Sequence, residues 1–577
     1  METSKTEINA VVTGVFPNKV KIEIKNIEPF KDVDEKLSVG SYLRISDSDD
    51  CAIIAVVENF CIEKKDEKDE RRYILEAIPI GFLDHNGKFI RGGNNISIPP
   101  IGVKPAKKEE IQNIYSQIKK EKTFCFSKLV QDSSIFVPVD GDRFFNKHLA
   151  IVGSTGSGKS HTLATILQKA IKTKEDSYEG LNNSHIIVFD LHGEYKTAFP
   201  EANHLNVDKF ILPYWLMNGD ELEELFVEAG DNQAYNQISL FRRIITRNKQ
   251  KINNNENILF DTPVEFSIRQ ALNCILNLSK ETRKSKDPSC ICIRDKNRSF
   301  NSDEEKFDCY FECEHRYEEL EDRKVSRGTY KDGSLEKFIS RIKNKITDGR
   351  LKFLQLDENE EKAITFEDTL RQFLGYKINN EANVTIIDLS GVPFEVLSIT
   401  VSLISRLIFE YGYYFKRRLN EDSNKTPILL VYEEAHKYVP KVKSSKYNSS
   451  RVAIERIAKE GRKYGVTLVL VTQRPSEISE TIFSQCNNFV VMRLTNPDDQ
   501  NYVKRLLPDN LGPLTESLPI LESGEAILIG DALIMPSLVK IEKCDFEPSS
   551  NDINYIQEWK KKWMEVDFNN IIDTWLK

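Results

Sequence analysis

The sequence predicts an α/β fold with three parts: a parallel-sheet core, a small β-barrel ahead of it, and a helical insertion within it. Short apolar runs separated by Gly, Asn, Asp and Pro turns fill the first hundred residues. From about residue 145, continuous apolar runs alternate with helix-like segments, which indicates a parallel sheet. Between about 208 and 375 the strand signal is absent. A chain of 577 residues is too long for one ordinary core, so we expect roughly two to four folding units.

The N-terminal unit is predicted to span residues 1–105. Its stretch 20–24 alternates apolar and charged residues with a period of two, the pattern of a half-buried strand. A small barrel closes strands this short. The charge run 63–72 is typical of a solvated hairpin tip.

The core is predicted in two parts, 106–207 and 376–544, separated by the insertion 208–375. Within the insertion, charged segments with periodic Leu and Ile predict helices near 221–229 and 238–251. A C-terminal helical tail, 545–577, carries Trp559, Trp563 and Trp575. The predicted core strands are 148–152, 186–190, 384–389, 427–432, 466–472 and 488–494.

Composition limits the classes of protein that fit. No apolar run approaches the roughly 18 residues that span a bilayer, and residues 1–10 lack a signal-peptide core, so we expect a cytoplasmic protein without a membrane partner. A net charge of −8 argues against a general polyanion binder, but not against nucleic acid held in a locally basic channel.

Residues 153–160 match the phosphate-binding pattern G-x-x-x-x-G-K-[ST], between a strand-like and a helix-like stretch. Such a loop directs backbone N–H groups and a helix N-terminus at a phosphate, so we expect ATP or GTP here. Lys159 is expected to reach the β- and γ-phosphates, and the Ser160 hydroxyl to bind Mg²⁺. The predicted nucleotide contacts are Gly153, Ser154, Thr155, Gly156, Ser157, Gly158, Lys159, Ser160 and His161.

Two further strands end in polar residues that suit hydrolysis. Glu433 and Glu434 follow an apolar run: the first is predicted to hold the Mg²⁺ shell and the second to deprotonate the attacking water. The first position is usually Asp, and the alternative is a surface Glu pair. Gln473 ends the next strand and suits a γ-phosphate sensor, the alternative being a turn-capping Gln.

For two other pairs of residues the sequence allows both a functional and a structural interpretation. Arg456 and Arg462 lie in a cationic helix end before a glycine, as do arginines that enter a neighbour's site in oligomeric ATPases, but such cations also cap helices. Asp190 and Glu194 follow a buried strand and suit water or metal positioning, or an ordinary Asp–Gly turn.

Five segments in order, GSTGSGKSHT, FDLHGEY, YEEAHKYVP, EGRKYG and VTQRP, resemble the HerA translocases of the FtsK–HerA group over nearly the whole chain. The resemblance implies a RecA-like P-loop ATPase core and a homohexamer that uses ATP and Mg²⁺ to move or unwind double-stranded DNA. It also implies a partner, either a nuclease or a sirtuin-like effector, in DNA end processing or anti-phage defence. The alternative is a nucleotide-bound scaffold that regulates a toxic effector.

The same resemblance implies roles for further residues. Glu434 is catalytic, Gln473 senses and Arg462 is the trans-acting arginine; Lys147, Lys540 and Ile541 are further nucleotide contacts. DNA contacts are expected from a Ser- and Asn-rich segment after Glu434. The basic residues there are Lys441, Lys443, Lys446 and Arg451, for which a solvated loop is the alternative.

One cysteine cluster raises the question of a structural zinc site. The insertion contains C-x-C and C-x₃-C-x-H spacings, which resemble metal-ligand spacing but lack the paired C-x₂-C of common zinc folds. The residues are Cys290, Cys292, Cys309, Cys313 and His315.

Overall fold

The computed structural model of the chain describes residues 10–16, 19–25, 37–46, 51–64, 71–92, 102–172, 183–227, 234–294, 297–356, 364–376, 382–419, 425–441, 449–506, 512–549 and 553–576.

The N-terminal strands form one antiparallel sheet, which confirms the predicted small barrel. Its strand order is β1-β2-β5-β4-β3-β7, with β6 beside β5, and a bridge between Val11 and Gly102 brings the two edges together. Apolar residues such as Ile22, Leu43 and Val57 fill the inside. The strands are β1 (Ala10–Val15), β2 (Val20–Ile24), β3 (Tyr42–Ile45), β4 (Ala52–Lys64), β5 (Arg71–Leu83), β6 (Phe89–Arg91) and β7 (Val103–Pro105).

The first part of the core follows directly. Its elements are α1 (Lys108–Tyr115), β8 (Thr123–Leu129), β9 (Phe136–Asp140), α2 (Gly141–Phe145), β10 (Leu149–Val152), α3 (Lys159–Lys172), β11 (His185–Asp190) and β12 (Asn203–Leu205). Tyr42 of the barrel donates to the Pro536 carbonyl at 3.4 Å, so the barrel is bonded to the core, and within the core the hydroxyls of Tyr115 and Ser537 lie 2.7 Å apart.

The insertion is not wholly helical, contrary to the sequence prediction. Its helices are α4 (Gly219–Phe226), α5 (Ala234–Ile252), α6 (Ile268–Lys280), α7 (Asp303–Glu312), α8 (Glu336–Thr347) and α9 (Phe366–Phe373). A small antiparallel sheet of order β15-β14-β13-β16 lies among them. Its strands are β13 (Thr282–Lys284), β14 (Asp287–Ile291), β15 (Arg298–Ser299) and β16 (Val325–Arg327).

The cysteine cluster does not form a metal site. The Cys309 thiol lies 3.5 Å from His315 Nε2 and accepts from Arg298 at 2.8 Å, while Cys313 lies 3.7 Å from His315 Nδ1. Among the described residues, no group of three or more His, Cys, Asp or Glu side chains is placed to hold a metal ion. The structure therefore gives no support to structural zinc.

The second part of the core completes the main sheet. Its elements are β17 (Val384–Asp388), α10 (Phe394–Leu419), β18 (Ile428–Tyr432), α11 (Ser449–Glu460), β19 (Val466–Thr472), α12 (Glu480–Phe483), β20 (Asn488–Met492), α13 (Pro497–Leu506), α14 (Gly512–Glu516), β21 (Glu525–Gly530) and β22 (Ser537–Ile541).

The main sheet has eleven strands in the order β12-β17-β11-β18-β19-β10-β20-β21-β22-β8-β9. The seven strands from β12 to β20 are parallel, and all six predicted core strands lie within two residues of their predicted bounds. The four remaining strands are antiparallel, so the sheet is mixed. Strands β8, β9 and β12 were not predicted.

A buried ion pair joins the insertion to the core. Glu221 of α4 is fully buried and accepts from Arg406 of α10 at 2.9 Å and from Ser402 at 2.8 Å. Removing one member of such a pair leaves an uncompensated charge, so this contact fixes the insertion against the sheet.

The C-terminal segments first pack against α3 and then become exposed to solvent. Residues 542–549 cross α3, where the Gln168 amide donates to the Phe546 carbonyl at 2.8 Å. Beyond them, α15 (Tyr555–Trp559) and α16 (Phe568–Leu576) are exposed, with 99% of Trp563 accessible. Within the described ranges, no helix is both long and apolar enough to cross a lipid bilayer.

Candidate active site

The glycine loop of residues 153–160 connects the carboxyl end of β10 to the first turn of α3. Its glycines are required sterically: a Cβ on Gly153 would lie 2.5 Å from Ser157 Oγ, and Gly158 has φ +100°, which favours glycine. Ser154 N–H donates to the Arg493 carbonyl at 2.7 Å, and Gly524 N–H donates to the Ser157 carbonyl at 3.0 Å. The loop is thus held open by neighbouring strands.

Lys159 and Ser160 begin α3 and face a group of carboxylates. Lys159 Nζ donates to the Ser154 carbonyl at 3.3 Å, and the Ser160 hydroxyl donates to Glu194 Oε2 at 3.0 Å. Burial lowers the pKa of Lys159, against the opposing charges of Glu434, Glu433 and Glu194. His161 lies in the same first turn, half-buried. This end of α3 is therefore a cationic, partly desolvated place for phosphate.

Asp190 and Glu194 play different parts in the turn after β11. Asp190 is fully buried and accepts from the backbone N–H groups of residues 192–195, at 2.8 to 3.3 Å. Its oxygens are occupied by the turn, which is the ordinary Asp–Gly turn left open by the sequence. Glu194 instead points at the Ser160 hydroxyl.

Glu433 follows β18 in a crowded acidic setting. The ring of Tyr432 stacks on Phe189 of β11 at 4.9 Å, which aligns the ends of the two strands. Burial raises the pKa of Glu433 to about 10, and the nearby charges of Asp190 and Glu194 add to the effect. Its Oε2 is buried and has no hydrogen-bond partner among the described residues. Burial and the neighbouring carboxylates thus favour the neutral form of the Glu433 carboxyl group.

Glu434 has a left-handed backbone, with φ 48° and ψ 47°. A non-glycine residue in this region costs of order 1 kcal/mol or more, and such strain clusters at functional sites. Burial works to raise the pKa of Glu434, but contact with His436 and the charge of Lys159 outweigh burial and lower it. Glu434 is therefore kept ionised, as a general base requires.

Gln473 immediately follows β19, and its Oε1 accepts from the Thr155 hydroxyl in the glycine loop at 2.5 Å. Strands β10 and β19 are parallel neighbours, so both turns lie at the same edge of the sheet. Gln473 is thus beside the loop in which a terminal phosphate would lie.

The oxygen atoms here suit a magnesium ion. Mg²⁺ prefers carboxylate and hydroxyl oxygens beside substrate phosphates. The Ser160 hydroxyl and Glu433 Oε2, which has no hydrogen-bond partner in the described part of the chain, provide them, with Glu194 alongside. A divalent charge would also offset the acidic crowding that raises the pKa of Glu433.

Three residues predicted to belong to the active site lie away from the sheet edge that carries the glycine loop of their own chain. Lys147 precedes β10 and pairs with Asp531. Arg462 is exposed and precedes β19, about 20 Å along the strand from Gln473. Arg456 packs its guanidinium on the Phe409 ring at 4.6 Å. The structure does not bring any of them to the glycine loop of their own chain.

Lys540 and Ile541 lie close to the loop. Ile541 N–H donates to the Gly524 carbonyl at 2.8 Å, and Lys540 Nζ donates to the Ser523 carbonyl at 2.9 Å. Because Gly524 itself donates to Ser157, both residues border the loop on the β21–β22 side.

The basic residues predicted to contact DNA divide into two groups. Lys441 pairs with Glu480 at 2.9 Å, and Arg451 pairs with Glu455 at 2.9 Å. Lys443 and Lys446 lie outside the described residues.

Sequence reasoning missed residues that only strand pairing brings to the site. A methyl group on Gly156 would lie 3.9 Å from Arg493 Nη2, so this arginine faces the loop from the end of β20. His436 and Thr472 contact each other behind Glu434. His436 and Thr472 belong to the YEEAHKYVP and VTQRP segments but were given no role from the sequence, and Arg493 follows an apolar run.

A glycine loop, a strand-end glutamate pair and a strand-end glutamine at one edge of a parallel sheet define a P-loop ATPase with a RecA-like core. A family model described as "Helicase HerA, central domain" matches residues 124–408. Over that stretch the chain is similar to the HerA family.

Two HerA relatives extend over most of the chain. The "DNA double-strand break repair helicase HerA" of Sulfolobus acidocaldarius is 27% identical over 433 residues, which are 74% of this chain and 72% of the relative. The "Probable DNA double-strand break repair helicase HerA" of Methanocaldococcus jannaschii is 26% identical over 550 residues, covering 91% and 95%.

Among solved structures, VirB4 of Thermoanaerobacter pseudethanolicus is similar, with a TM-score of 0.45 and 13% identity, covering 74% of this chain and 98% of that one. The plasmid coupling protein TrwB bound to a non-hydrolysable ATP analogue also has a TM-score of 0.45 at 13% identity, covering 78% and 95%.

Proposed function

We propose that this chain is one subunit of a homohexameric ring that hydrolyses ATP to move or unwind double-stranded DNA. The observation that carries the proposal is the position of Glu434, ionised and half-buried close to the Lys159 charge at the edge of the sheet that holds the glycine loop. Two relatives that cover most of the chain are named DNA double-strand break repair helicases, which supports DNA as the substrate.

The residues suggest how hydrolysis proceeds. The loop amides and Lys159 bind the β- and γ-phosphates, and Ser160 and Glu433 hold Mg²⁺, which neutralises phosphate charge when bound. Glu434 orients the attacking water and accepts its proton as the water oxygen bonds to the γ-phosphorus and ADP leaves. Gln473 touches the loop through Thr155, so loss of the γ-phosphate is transmitted to β19.

The proposed ring follows from the position of the arginines. Arg462 cannot serve the site of its own chain, because it lies at the opposite end of β19. In a ring this edge can face the neighbour's nucleotide, where an arginine stabilises transition-state charge. Arg462 is the stronger choice because the guanidinium of Arg456 is packed on Phe409. Lys147 precedes β10 at the same end of the sheet as Arg462, so it would face the same neighbouring subunit.

DNA contact is proposed for the segment that follows Glu434. Phosphate contacts by lysines are independent of base sequence and weaken with salt. Because Lys441 and Arg451 are paired internally, Lys443 and Lys446 are the main proposed contacts. A nuclease or sirtuin-like effector would then act on the DNA that the ring delivers, in end processing or in anti-phage defence.

Two observations favour the scaffold as a second function. Glu433 replaces the usual Asp and is held neutral, and two of the four basic residues proposed for DNA are occupied. A ring that hydrolyses slowly and controls an effector would tolerate both features.

ATP turnover with and without blunt duplex DNA tests the motor. We expect stimulation by duplex, and loss of turnover in Glu434→Gln with ATP binding retained; Lys159→Ala should lose binding. A rate of ATP turnover that is changed neither by duplex DNA nor by Glu434→Gln would refute the proposal of a motor. The mass of the particle with ATP and DNA tests the ring, and a strict monomer would refute it.

Salt titration of duplex binding tests the contacts. Each lost phosphate contact lowers the slope of log K against log salt by about 0.9. We expect this change for Lys443→Ala and Lys446→Ala and none for Lys441→Ala, which is the matched control. Equal slopes for all three variants would contradict the assignment.

A further inference from the structure

His436 lies buried behind Glu434, between the ends of β18 and β19. Its Nδ1 is 3.2 Å from Glu434 Oε2 and 3.2 Å from Thr472 Oγ1. Only 8% of the residue is exposed, and Thr472 is fully buried. One ring nitrogen therefore lies between the general base and the end of the neighbouring strand.

The second partner of His436 is tied to the glycine loop. The Thr472 carbonyl accepts from Gly153 N–H at 3.2 Å, and the Thr472 hydroxyl accepts from Arg474 N–H at 3.0 Å. The next residue, Gln473, accepts from Thr155. A shift of the loop on gaining or losing phosphate is thus transmitted to Thr472 through one direct contact, from Gly153, and through a second contact to the adjacent Gln473.

The Glu434 carboxylate lies near the charge of Lys159 and the ring of His436. Its Oε2 is buried and has no aligned hydrogen-bond donor among the described residues, so the 3.2 Å approach of His436 Nδ1 is a close polar contact. The left-handed backbone of Glu434 sets where the side chain starts, but not where its carboxylate points.

A single nitrogen can serve only one of these partners well at a time. As a donor, Nδ1–H can turn to the Glu434 carboxylate; as an acceptor, in the other tautomer, Nδ1 takes the Thr472 hydroxyl proton and no longer attracts the carboxylate. The choice between the two depends on where Thr472 lies.

We propose that His436 is a positioning residue that aims the Glu434 carboxylate and couples it to Thr472, so that the base is aligned only when the glycine loop is filled. The inference rests on the ATPase reaction and is independent of DNA. It does not require His436 to touch nucleotide or water.

Three variants, measured for ATP hydrolysis without DNA, test the coupling. His436→Phe removes the nitrogen but keeps a ring, and a misdirected base costs up to about a hundredfold in rate. We therefore expect kcat to fall by about that factor, with KM and the Kd for ATP unchanged. His436→Asn places an amide where Nδ1 lies and should restore most of the rate. Thr472→Val, nearly the same shape, should lower kcat in the same direction.

A double-variant comparison separates positioning from structural support. In the Glu434→Gln background, His436→Phe should cause no further loss of the residual rate measured in single-turnover hydrolysis, because the group it aims is gone. An equal further loss in that background, or a raised Kd with kcat intact, would overturn the proposal. If the His436→Phe variant does not fold, the kcat values of Thr472→Val and His436→Asn still test the proposal. Wild-type protein without turnover would refute the ATPase reaction itself, which is a separate result.

Discussion

Glu433→Gln should raise the unfolding free energy of the nucleotide-free protein and lower the rate of ATP hydrolysis. Glu433 is 4% exposed, and burial beside Asp190 and Glu194 raises its pKa from 4.5 to about 10. The glutamine amide keeps the shape of the side chain and carries no proton to titrate. The variant therefore removes the cost of a carboxyl group that must be neutral to be buried, together with the ligand proposed for Mg²⁺.

The sign and size follow from proton linkage. Between pH 4.5 and about 10 the folded chain holds this proton and the unfolded chain does not, so wild-type stability falls as pH rises, by about 1.4 kcal/mol per unit. At pH 7 the accumulated cost is about 3 kcal/mol. Glu433→Gln should recover about this amount at pH 7, little at pH 5, and more at pH 9.

Urea unfolding of both proteins in EDTA, without nucleotide, at these three pH values measures the difference. Glu516→Gln, at an exposed glutamate, is the matched control and should change the unfolding free energy by less than about 0.5 kcal/mol at every pH. With Mg²⁺ and an ATP analogue present, the advantage of Glu433→Gln should shrink, because the charged carboxylate then has a cation. A difference that does not grow with pH would refute the reasoning.

Three further outcomes are expected. Gly158→Ala, at φ +100°, should strain the loop and weaken binding of a fluorescent ATP analogue by about tenfold in titrations, while a wild-type Kd would contradict the need for glycine. Glu221→Ala should lower the unfolding free energy by about 3 kcal/mol because the buried Arg406 loses its fully buried partner and keeps only the carboxylate of Glu410, whereas an exposed Glu516→Ala should not. Burial lowers the pKa of Lys249 to about 8, so between pH 8 and 10.5 this residue makes the unfolding free energy rise with pH, opposite in sign to Glu433. Lys249→Met should remove that rise in urea titrations. An unchanged dependence of the unfolding free energy on pH would exclude Lys249 as its source.

The core strands were predictable because they are continuous apolar runs covered on both faces. Strand β8 mixes Phe124 and Phe126 with Ser127 and Lys128, and β9 contains Pro138, so neither reads as a core strand. The small sheet of the insertion has strands of two to five residues, such as Thr282–Lys284, which are too short and too charged to show a pattern. Pairing between distant segments decides those elements.

The candidate site was predictable to the extent that its residues follow strands in recognisable motifs. The glycine loop, Glu434 and Gln473 were named from sequence, and the structure places all three at one sheet edge. The use of Asp190 by its own turn depends on four backbone N–H groups that sequence spacing does not reveal. The contact of His436 with Thr472 exists only because β18 pairs with β19.

The exposed C-terminal segment gives the protein an optical property. Three of the four tryptophans of the chain, Trp559, Trp563 and Trp575, lie there at 79%, 99% and 85% exposure, and Trp215 is half-buried. Indole emission shifts to the blue when water is excluded. Intrinsic fluorescence of this protein therefore reports chiefly on what surrounds α15 and α16, and a blue shift on assembly would follow the burial of these helices without any added label.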